Sequence, residues 1–390
     1  MSKHIIEKDV IIIGAGLAGL YANYRLGKNI NALIIEKESY IGGRALNQEF
    51  HGMNITFGAG IMEDKNTNVL GLVHRLGLPY DTFDSNYTSK EYAKEYVENF
   101  IKNAQQKILS TYENNKDFIK KNLFSFEQFL IYYFGQEFTN KCKELFEYND
   151  FLSADVQKTM DLYPFSDLFI GKAKYHYLKG GWKILIDRLI KERPTQINLE
   201  EKVVEIENHN DCVFIKTDKQ IYKTKFVYIC GNLDVKQINF INYDISFFNK
   251  IGSIPFMRAY SYHVDGHGVK SNLKTKDLQD KLIPMGKNIL MIAYNDNCKA
   301  RELNNIIGEK YNYELISEVL KYYKNPITDF VHKYWEHGIH YYKPTYDNEI
   351  IYRPKKTDRI VFMGEMVSRV QGWVEGAIRS VDEYFDLINK

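Results

Sequence analysis

A glycine pattern near the amino terminus is the first feature of the chain that could do chemistry. Gly14, Gly16 and Gly19 have the spacing G-x-G-x-x-G, and they directly follow the apolar run Val10–Ile13. In this pattern the first glycine allows a tight turn, the second lets the backbone approach a pyrophosphate, and the third lets a helix pack closely on the strand. The start of that helix offers unpaired N–H groups and a partial positive charge to a phosphate. The stretch therefore predicts a strand, a turn and a helix that bind a dinucleotide.

An acidic residue follows at the distance that such a site requires. A second apolar run, Ala32–Ile35, ends at Glu36, roughly 20 positions after the first glycine. A carboxylate at this place hydrogen-bonds a ribose 2′-hydroxyl and disfavours a 2′-phosphate. The predicted ligand is an adenosine dinucleotide without that phosphate.

A second glycine motif lies directly behind the acidic residue. Gly42 and Gly43 allow close approach of the backbone, and Arg44 supplies a guanidinium that can bind two phosphate oxygens at once. The alternative, a glycine loop with a surface arginine, is less consistent with a position immediately after the acidic end of the strand.

The composition excludes several classes of function. At 390 residues the chain is long enough for two domains, and a net charge of +2 does not indicate a nucleic-acid binder. The four cysteines lie far apart without a C-x-x-C, so neither a metal site nor a disulfide framework is expected. Charges interrupt the first nine residues, and no apolar run reaches the roughly 18 residues that a membrane helix needs. These features predict a cytoplasmic protein with reduced thiols, no nucleic-acid partner and no membrane anchor.

Several separated stretches resemble the flavin-dependent amine oxidase family, which includes monoamine, polyamine and L-amino-acid oxidases. Residues 37–45 resemble the second fingerprint of that family, and residues 52–61 resemble the segment that turns back under the flavin ring. Residues 175–231 resemble its Gly-Gly step and third fingerprint, and residues 358–380 resemble its carboxy-terminal flavin signature. The resemblance implies an α/β fold in which a Rossmann-like FAD-binding domain of the GR2 type is interleaved with an α+β substrate-binding domain.

The resemblance also implies how the chain is divided. The FAD-binding domain is expected at residues 1–78, 173–232 and 335–390. The substrate domain is expected at residues 79–172, which are aromatic and helix-rich, and at residues 233–334. The aromatic side chains of residues 79–172 either pack a core or line a pocket.

Local patterns predict four elements that can be compared with the structure. Apolar residues at helical spacing predict helices over residues 66–78 and 313–322. Residues 251–264 and 288–295 are predicted as strands of a sheet in the substrate domain.

FAD is the implied cofactor, and the family motifs imply which residues contact it. The carboxylate of Glu365 is expected at the ribityl hydroxyls, and the backbone at Val203 is expected at the adenine. The start of the last helix is expected at the pyrimidine edge of the flavin. The full set of predicted FAD-binding residues is Gly14, Gly16, Leu17, Ala18, Gly19, Glu36, Lys37, Gly43, Arg44, Gly58, Ala59, Gly60, Ile61, Val203, Gly364, Glu365, Gly372, Trp373 and Val374.

The walls of the reaction site follow from the same resemblance. Relatives hold the amine between two aromatic side chains that stand perpendicular to the flavin. Trp373 matches one of them, whereas the usual tyrosine of the other wall is replaced by His340, followed by Tyr341. His340 is a candidate wall residue or proton acceptor, or else a structural histidine, since the imidazole pKa is about 6.5. Ile339 stands where some relatives attach flavin to a cysteine, so non-covalent FAD is predicted.

Two departures from the family concern the flavin ring. Many relatives carry an acidic residue where Phe57 stands. Many also use a lysine of the first substrate-domain strand to hold a water against the flavin N5 nitrogen, and here Arg258 falls nearest to that position. Arg258 is therefore a candidate catalytic residue, or else a member of a structural ion pair.

The implied function is FAD-dependent oxidation of a primary or secondary amine, which could be a polyamine, a monoamine or an amino acid. Hydride transfer to flavin N5 and reoxidation by dioxygen would give hydrogen peroxide. One alternative is a dehydrogenase or desaturase of the same superfamily, of the porphyrinogen or carotenoid type. Another is a flavin-binding protein with little catalysis that serves in binding or assembly. The sequence specifies neither the amine nor the oligomeric state.

Overall fold

The computed structural model describes residues 5–84, 88–89, 92–146, 152–162, 174–308, 311–345 and 352–389. The α-helices in these ranges are α1 Leu17–Arg25, α2 Thr67–Arg75, α3 Lys94–Asn114, α4 Lys116–Asn122, α5 Phe126–Leu145, α6 Val156–Leu162, α7 Lys183–Glu192, α8 Asn297–Ile307, α9 Tyr313–Val319 and α10 Val374–Ile388. The strands are β1 Ile5–Ile13, β2 Ala32–Ile35, β3 Asn47–Phe50, β4 Met53–Thr56, β5 Met62–Glu63, β6 Tyr80–Asp84, β7 Thr88–Ser89, β8 Lys174–Leu178, β9 Gln196–Asn198, β10 Val203–Asn208, β11 Val213–Thr217, β12 Ile221–Ile229, β13 Asn239–Ile241, β14 Ile251–Tyr262, β15 Leu273–Lys274, β16 Lys281–Pro284, β17 Ile289–Asp296, β18 Asp329–Tyr342 and β19 Ile360–Phe362.

An eight-stranded sheet contains the predicted nucleotide strand near its centre. Its order is β13-β10-β11-β12-β1-β2-β9, with β19 paired to β12, and β1 runs parallel to both of its neighbours. Alternate residues of β1 enter two separate apolar cores: Ile12 packs with α1, α7 and α10, and Ile11 packs on the opposite face. Burial on both faces explains why the strand reads as an uninterrupted apolar run.

The first strand begins earlier than the glycine pattern suggested. Residues Ile5–Lys8 pair in parallel register with Ile221–Thr224 of β12, at the end of the sheet away from the glycine turn. These residues are less buried than Val10 and those that follow it, so their sequence lacks the apolar run that revealed the rest of the strand.

A second sheet of six strands, in the order β18-β14-β17-β16-β15-β7, forms the base of the other half of the molecule. Its long strands β14 and β18 are antiparallel along most of their lengths. Helix α8 packs on one face of this sheet, and the apolar residues of α3 and α5 form a separate core. The opposite face of the sheet is the one that borders the candidate site.

Two predicted helices end earlier than predicted. Helix α2 stops at Arg75, and Gly77 adopts φ +63°, which a right-handed helix cannot contain. Helix α9 stops at Val319, because Leu320 has left the helical region with φ −102° and ψ 78°. The predicted strands at residues 251–264 and 288–295 correspond to β14 and β17 within two residues at each end.

The four cysteines are free thiols, and Cys298 is the exposed one. Within the described ranges, no helix combines the length and the apolar composition needed to cross a bilayer. The same ranges contain no group of three or more His, Cys, Asp or Glu side chains placed to hold a metal ion.

Candidate functional site

A single cavity of about 420 Å³ extends from the glycine turn after β1 to the inner face of the six-stranded sheet. Its wall combines backbone from the first, middle and last parts of the chain. Three of the predicted site residues are absent from this wall, namely Gly19, His340 and Tyr341. The predicted residues that do line it are Gly14, Gly16, Leu17, Ala18, Glu36, Lys37, Gly43, Arg44, Gly58, Ala59, Gly60, Ile61, Val203, Arg258, Gly364, Glu365, Gly372, Trp373 and Val374.

The protein's own packing requires a glycine at two of the three positions of the turn. A Cβ on Gly19 would lie 2.0 Å from the carbonyl oxygen of Gly14, and Gly14 itself has φ +103°. The backbone conformation at Gly14 and the close packing at Gly19 therefore require glycine at both positions. Gly16 has φ −73°, which any residue adopts, and a Cβ there would meet only the Cα of Gly43, at 3.9 Å. Since nothing in the protein requires a glycine at position 16, the open space next to it points to a ligand.

The Glu36 carboxylate accepts hydrogen bonds from two backbone N–H groups, one of them in the glycine turn. Its Oε2 accepts a hydrogen bond from the N–H of Ala15 at 2.7 Å, and its Oε1 accepts one from the N–H of Glu38 at 3.0 Å. Burial raises the pKa of this carboxyl. A carboxylate has about four lone-pair sites, so Glu36 can accept further bonds from a ligand hydroxyl in the cavity.

Two helices point their amino termini into the cavity, and no side chain caps either of them. Helix α1 begins at the N-cap residue Gly16, and helix α10 begins at the N-cap residue Trp373; neither cap makes a side-chain hydrogen bond. Both caps belong to the cavity wall. Uncapped amino termini leave unpaired N–H donors and a partial positive charge, which suits a ligand with phosphate groups at one end and an electron-rich ring at the other.

A partly buried ion pair joins the Arg44 motif to the carboxy-terminal motif. Nη1 of Arg44 donates to Oε2 of Glu365 at 2.8 Å and to the carbonyl of Gly338 at 2.7 Å. Oε1 of Glu365 accepts from the N–H of Gly372 at 2.6 Å and from the N–H of His340 at 3.0 Å. Although burial opposes ionisation, the charge of Arg44 and the hydrogen bonds from His340 and Gly372 hold the pKa of Glu365 well below its usual range. Glu365 therefore connects the turn before α10 to strand β18.

His340 lies behind the cavity wall, where it orients this carboxylate. The imidazole is 1% exposed, and its Nε2 accepts the N–H of Leu233 at 3.3 Å. That contact places the proton on Nδ1, which donates to Oε2 of Glu365 at 2.7 Å. Burial lowers the pKa of His340, so the ring is held neutral.

Tyr341 points to the other side of the same strand. Its ring packs against the core formed by the helical segment, and a Cβ on Gly252 would lie 2.3 Å from it. Successive side chains of a strand face opposite sides, so His340 and Tyr341 cannot share one surface. The geometry gives neither of them a place beside a ligand in the cavity.

The inner face of the six-stranded sheet supplies the opposite wall. The side chains there are Phe256 and Arg258 of β14, Tyr294 and Asp296 of β17, and Lys333 and Trp335 of β18. Two hydrogen bonds connect the backbone just before Gly58 to this sheet. Nε1 of Trp335 donates to the carbonyl of Phe57 at 2.7 Å, and the hydroxyl of Tyr260 donates to the carbonyl of Thr56 at 2.6 Å. They hold residues 58–61 along the cavity.

The chain matches known proteins by sequence over short segments. A family model described as an NAD(P)-binding Rossmann-like domain matches residues 12–76. An 83-residue segment is 36% identical to the FAD-dependent oxidoreductase dbaF of Emericella nidulans, and a 59-residue segment is 44% identical to polyamine oxidase 7 of Oryza sativa subsp. japonica. These segments make up 20% and 15% of the chain and only 17% and 12% of the two relatives.

Solved structures match over nearly the whole chain. A putrescine oxidase bound to putrescine superposes with a TM-score of 0.71 at 15% identity, covering 99% of this chain and 100% of that one. Cyclohexylamine oxidase from Brevibacterium oxydans IH-35A superposes with a TM-score of 0.74 at 15% identity, covering 98% of each chain. The chain has the flavin amine oxidase fold. The α/β fold class predicted from the sequence is confirmed, and the resemblance to amine oxidases extends to the fold of the whole chain.

The amine oxidase fold brings together residues that sequence reasoning did not select. Phe256, Tyr294, Asp296, Lys333 and Trp335 were not predicted, although all five face the cavity. The alternation of β14 and β17 could have indicated that residues two apart share a face with Arg258. The position of Arg258 opposite Lys333 could not be predicted, because it depends on the register between β14 and β18 and on an irregularity between Ile254 and Phe256.

Proposed function

We propose that this chain is an FAD-dependent amine oxidase that converts a primary or secondary amine to an imine. The observation that carries the proposal is the continuity of the cavity. One space joins the glycine turn at Gly16, the uncapped start of α10 at Trp373, and the aromatic sheet face at Trp335. A dinucleotide with a large redox-active ring has the shape and chemistry to occupy such a space.

The residues of the cavity fit FAD at each of its parts. Glu36 can accept from an adenosine ribose, and the space beside Gly16 at the start of α1 can take the pyrophosphate. The backbone of residues 58–61 and the start of α10 would border the flavin ring. Val203, which also lines the cavity, would lie at the adenine. Ile339 lines the cavity in place of a cysteine that could attach the ring, which supports non-covalent binding.

The chemistry that FAD supplies when bound is the acceptance of a hydride at N5, followed by reoxidation with dioxygen to give hydrogen peroxide. The protein's own tasks are to bind, orient and desolvate the amine. Trp373, Trp335 and Phe256 present aromatic surface to the cavity, which excludes water and favours the neutral form of an amine. The positive end of α10 stabilises negative charge that develops beside it.

Glu365 and His340 contribute to this arrangement as positioning residues. Glu365 accepts the N–H of Gly372, which has φ +80° and precedes the N-cap of α10. His340 fixes the carboxylate through its backbone N–H and its ring. Together they set the direction from which α10 approaches the cavity.

The test is reconstitution with FAD followed by exposure to amines. Purified protein is mixed with FAD, freed of excess cofactor, and assayed for peroxide release with 1,4-diaminobutane, cyclohexylamine, 2-phenylethylamine and phenylalanine. Retained flavin together with amine-dependent peroxide supports the proposal. Retained flavin that no amine reduces under anaerobic conditions would favour a binding role without catalysis. Protein that retains no flavin would refute the proposal at its first step.

A further inference from the structure

An ion pair in the cavity wall joins two parts of the chain that are far apart in sequence. Nζ of Lys37 lies 2.6 Å from Oδ2 of Asp234, and both residues line the cavity. Lys37 directly follows Glu36 at the end of β2, whereas Asp234 belongs to the short 3₁₀ helix Leu233–Gln237 that follows β12. Glu38 is farther from the same ammonium, at 3.8 Å, so Asp234 is the main partner of Lys37.

The sheet topology places this ion pair across the glycine turn. Strand β1 lies between β12 and β2, and all three run parallel, so their carboxyl ends meet at one edge of the sheet. Neighbouring strands are about 4.8 Å apart, so a connection from the end of β2 to the end of β12 spans roughly 10 Å. The ion pair of Lys37 and Asp234 therefore crosses the end of β1, where the turn that contains Gly14 and Gly16 begins.

His337 of β18 adds a second connection to the same carboxylate. Its Nε2 lies 3.4 Å from Oδ1 of Asp234, and its Nδ1 forms a hydrogen bond of 2.7 Å with Oγ of Ser253 in β14. Although burial opposes ionisation, Lys37 and His337 lower the pKa of Asp234. The Asp234 carboxylate is thus an anion that connects the end of β2 to the six-stranded sheet.

The bridge formed by Lys37, Asp234 and His337 is only partly buried. The exposed fractions of these side chains are 44%, 30% and 28%, respectively. Ion pairs in such positions contribute little to folding stability, because water screens the charges and the long side chains lose entropy. The bridge can therefore break and form again while the two sheets stay folded.

We propose that the bridge of Lys37, Asp234 and His337 closes the dinucleotide end of the cavity, and that it must open for FAD to enter or leave. This inference rests on the proposed function, because it takes FAD as the ligand of the cavity. It concerns the exchange of the cofactor and not the choice of amine. A bridge that opens and closes acts on entry and on exit alike, so it changes both rate constants more than it changes Kd.

A direct contact between Lys37 and the phosphates of FAD would give the opposite result at Asp234. In that arrangement Asp234 competes with the phosphates for the ammonium, so removing its charge would tighten FAD binding. In the bridge, Asp234 holds Lys37 in place across the cavity. Removing either charge then has the same effect, which is faster exchange.

The test measures FAD exchange with the holoprotein. Association is followed by flavin fluorescence after apoprotein and FAD are mixed, and dissociation by exchange of radiolabelled FAD against an excess of unlabelled FAD. Lys37→Met and Asp234→Asn should each raise both rate constants about two- to fivefold, as expected for a partly exposed ion pair, and leave Kd within about twofold. The double variant should exchange no faster than the faster single variant, because both substitutions remove the same bridge. His337→Leu should raise the rates by less, because its contact is longer.

Lys223→Met is the matched control. It breaks an ion pair with Glu7 at 3.2 Å that joins neighbouring strands of the same sheet, at the end away from the glycine turn, so exchange should match the parent. Parent rate constants in both Lys37→Met and Asp234→Asn, or tighter FAD binding in Asp234→Asn, would overturn this inference while leaving the oxidase proposal intact. Parent protein that binds no FAD would instead overturn the proposed function.

Discussion

A substitution at Gly16 can distinguish a glycine required for ligand binding from a glycine required for folding. We predict that Gly16→Ala leaves the stability of the apoprotein nearly unchanged and weakens FAD binding. Its φ of −73° suits alanine, and the new Cβ would meet only the Cα of Gly43 at 3.9 Å. Alanine is a poorer N-cap than glycine but restricts the unfolded chain, so the two effects offset each other to within about 1 kcal/mol.

The effect on FAD follows from the space that the methyl group would take. Forcing a methyl into a filled site costs about 1–3 kcal/mol, which raises Kd by roughly 5-fold to 150-fold. Gly19→Ala is the matched control. Its Cβ would lie 2.0 Å from the carbonyl oxygen of Gly14, so the backbone must move and the apoprotein loses about 3 kcal/mol or more.

Urea unfolding of the apoproteins and fluorescence titration with FAD measure the two quantities separately. FAD binding to Gly16→Ala as tight as FAD binding to the parent would contradict this prediction. A loss of apoprotein stability in Gly16→Ala as large as that in Gly19→Ala would also contradict it.

Three further predictions concern buried charges. Glu365→Gln should lower the free energy of unfolding by about 3–5 kcal/mol at pH 7, because Arg44 loses its charged partner. The pKa of Glu365 in the folded protein lies below the unfolded value of about 4.3, so the difference in unfolding free energy between variant and parent should become smaller as the pH falls below that value. A difference that stays constant with pH in urea unfolding would contradict this prediction. The pKa of His332 is lowered by burial to about 4, so the unfolded chain takes up a proton below pH about 6.5 that the folded chain refuses. The parent should therefore lose more stability than His332→Leu between pH 7 and pH 4.5, and equal losses would exclude this role. Glu375 of α10 accepts hydrogen bonds from the N–H groups of Asn68 at 3.1 Å and Val69 at 2.9 Å, at the start of α2. Glu375→Ala should lower the free energy of unfolding by about 1–3 kcal/mol, and Glu375→Gln should lower it by less. Unchanged stability of Glu375→Ala in thermal or urea unfolding would contradict this prediction.

The parts of the fold that could be predicted from sequence are those whose patterns are local. The Val10–Ile13 strand and the glycine turn carry their own signals, because a parallel strand buried on both faces must be apolar and a tight turn must be glycine. The ends of the elements were less predictable. Helix α9 ends at Val319, where Leu320 leaves the helical region, and a leucine gives no sequence signal for a helix end as a glycine or proline would.

The candidate site was predictable near the glycine turn and less so at the face of the six-stranded sheet. Backbone motifs place Gly16, Gly43 and Gly372 at the cavity, since these roles depend on glycine itself. The orientations of His340 and Tyr341 depend on which face of β18 meets the cavity, and one residue of register reverses that answer. For the same reason, the sequence does not show that Arg258 stands opposite Lys333, because this placement depends on the antiparallel register of β14 and β18.

A crystal structure of the protein grown with FAD tests the central claim most directly. The account predicts density for one FAD in the cavity, with adenosine ribose at Glu36, pyrophosphate beside Gly16, and the flavin ring between the start of α10 and the sheet face at Trp335. FAD bound elsewhere, or bound in the reverse direction with its ring at Glu36, would contradict it.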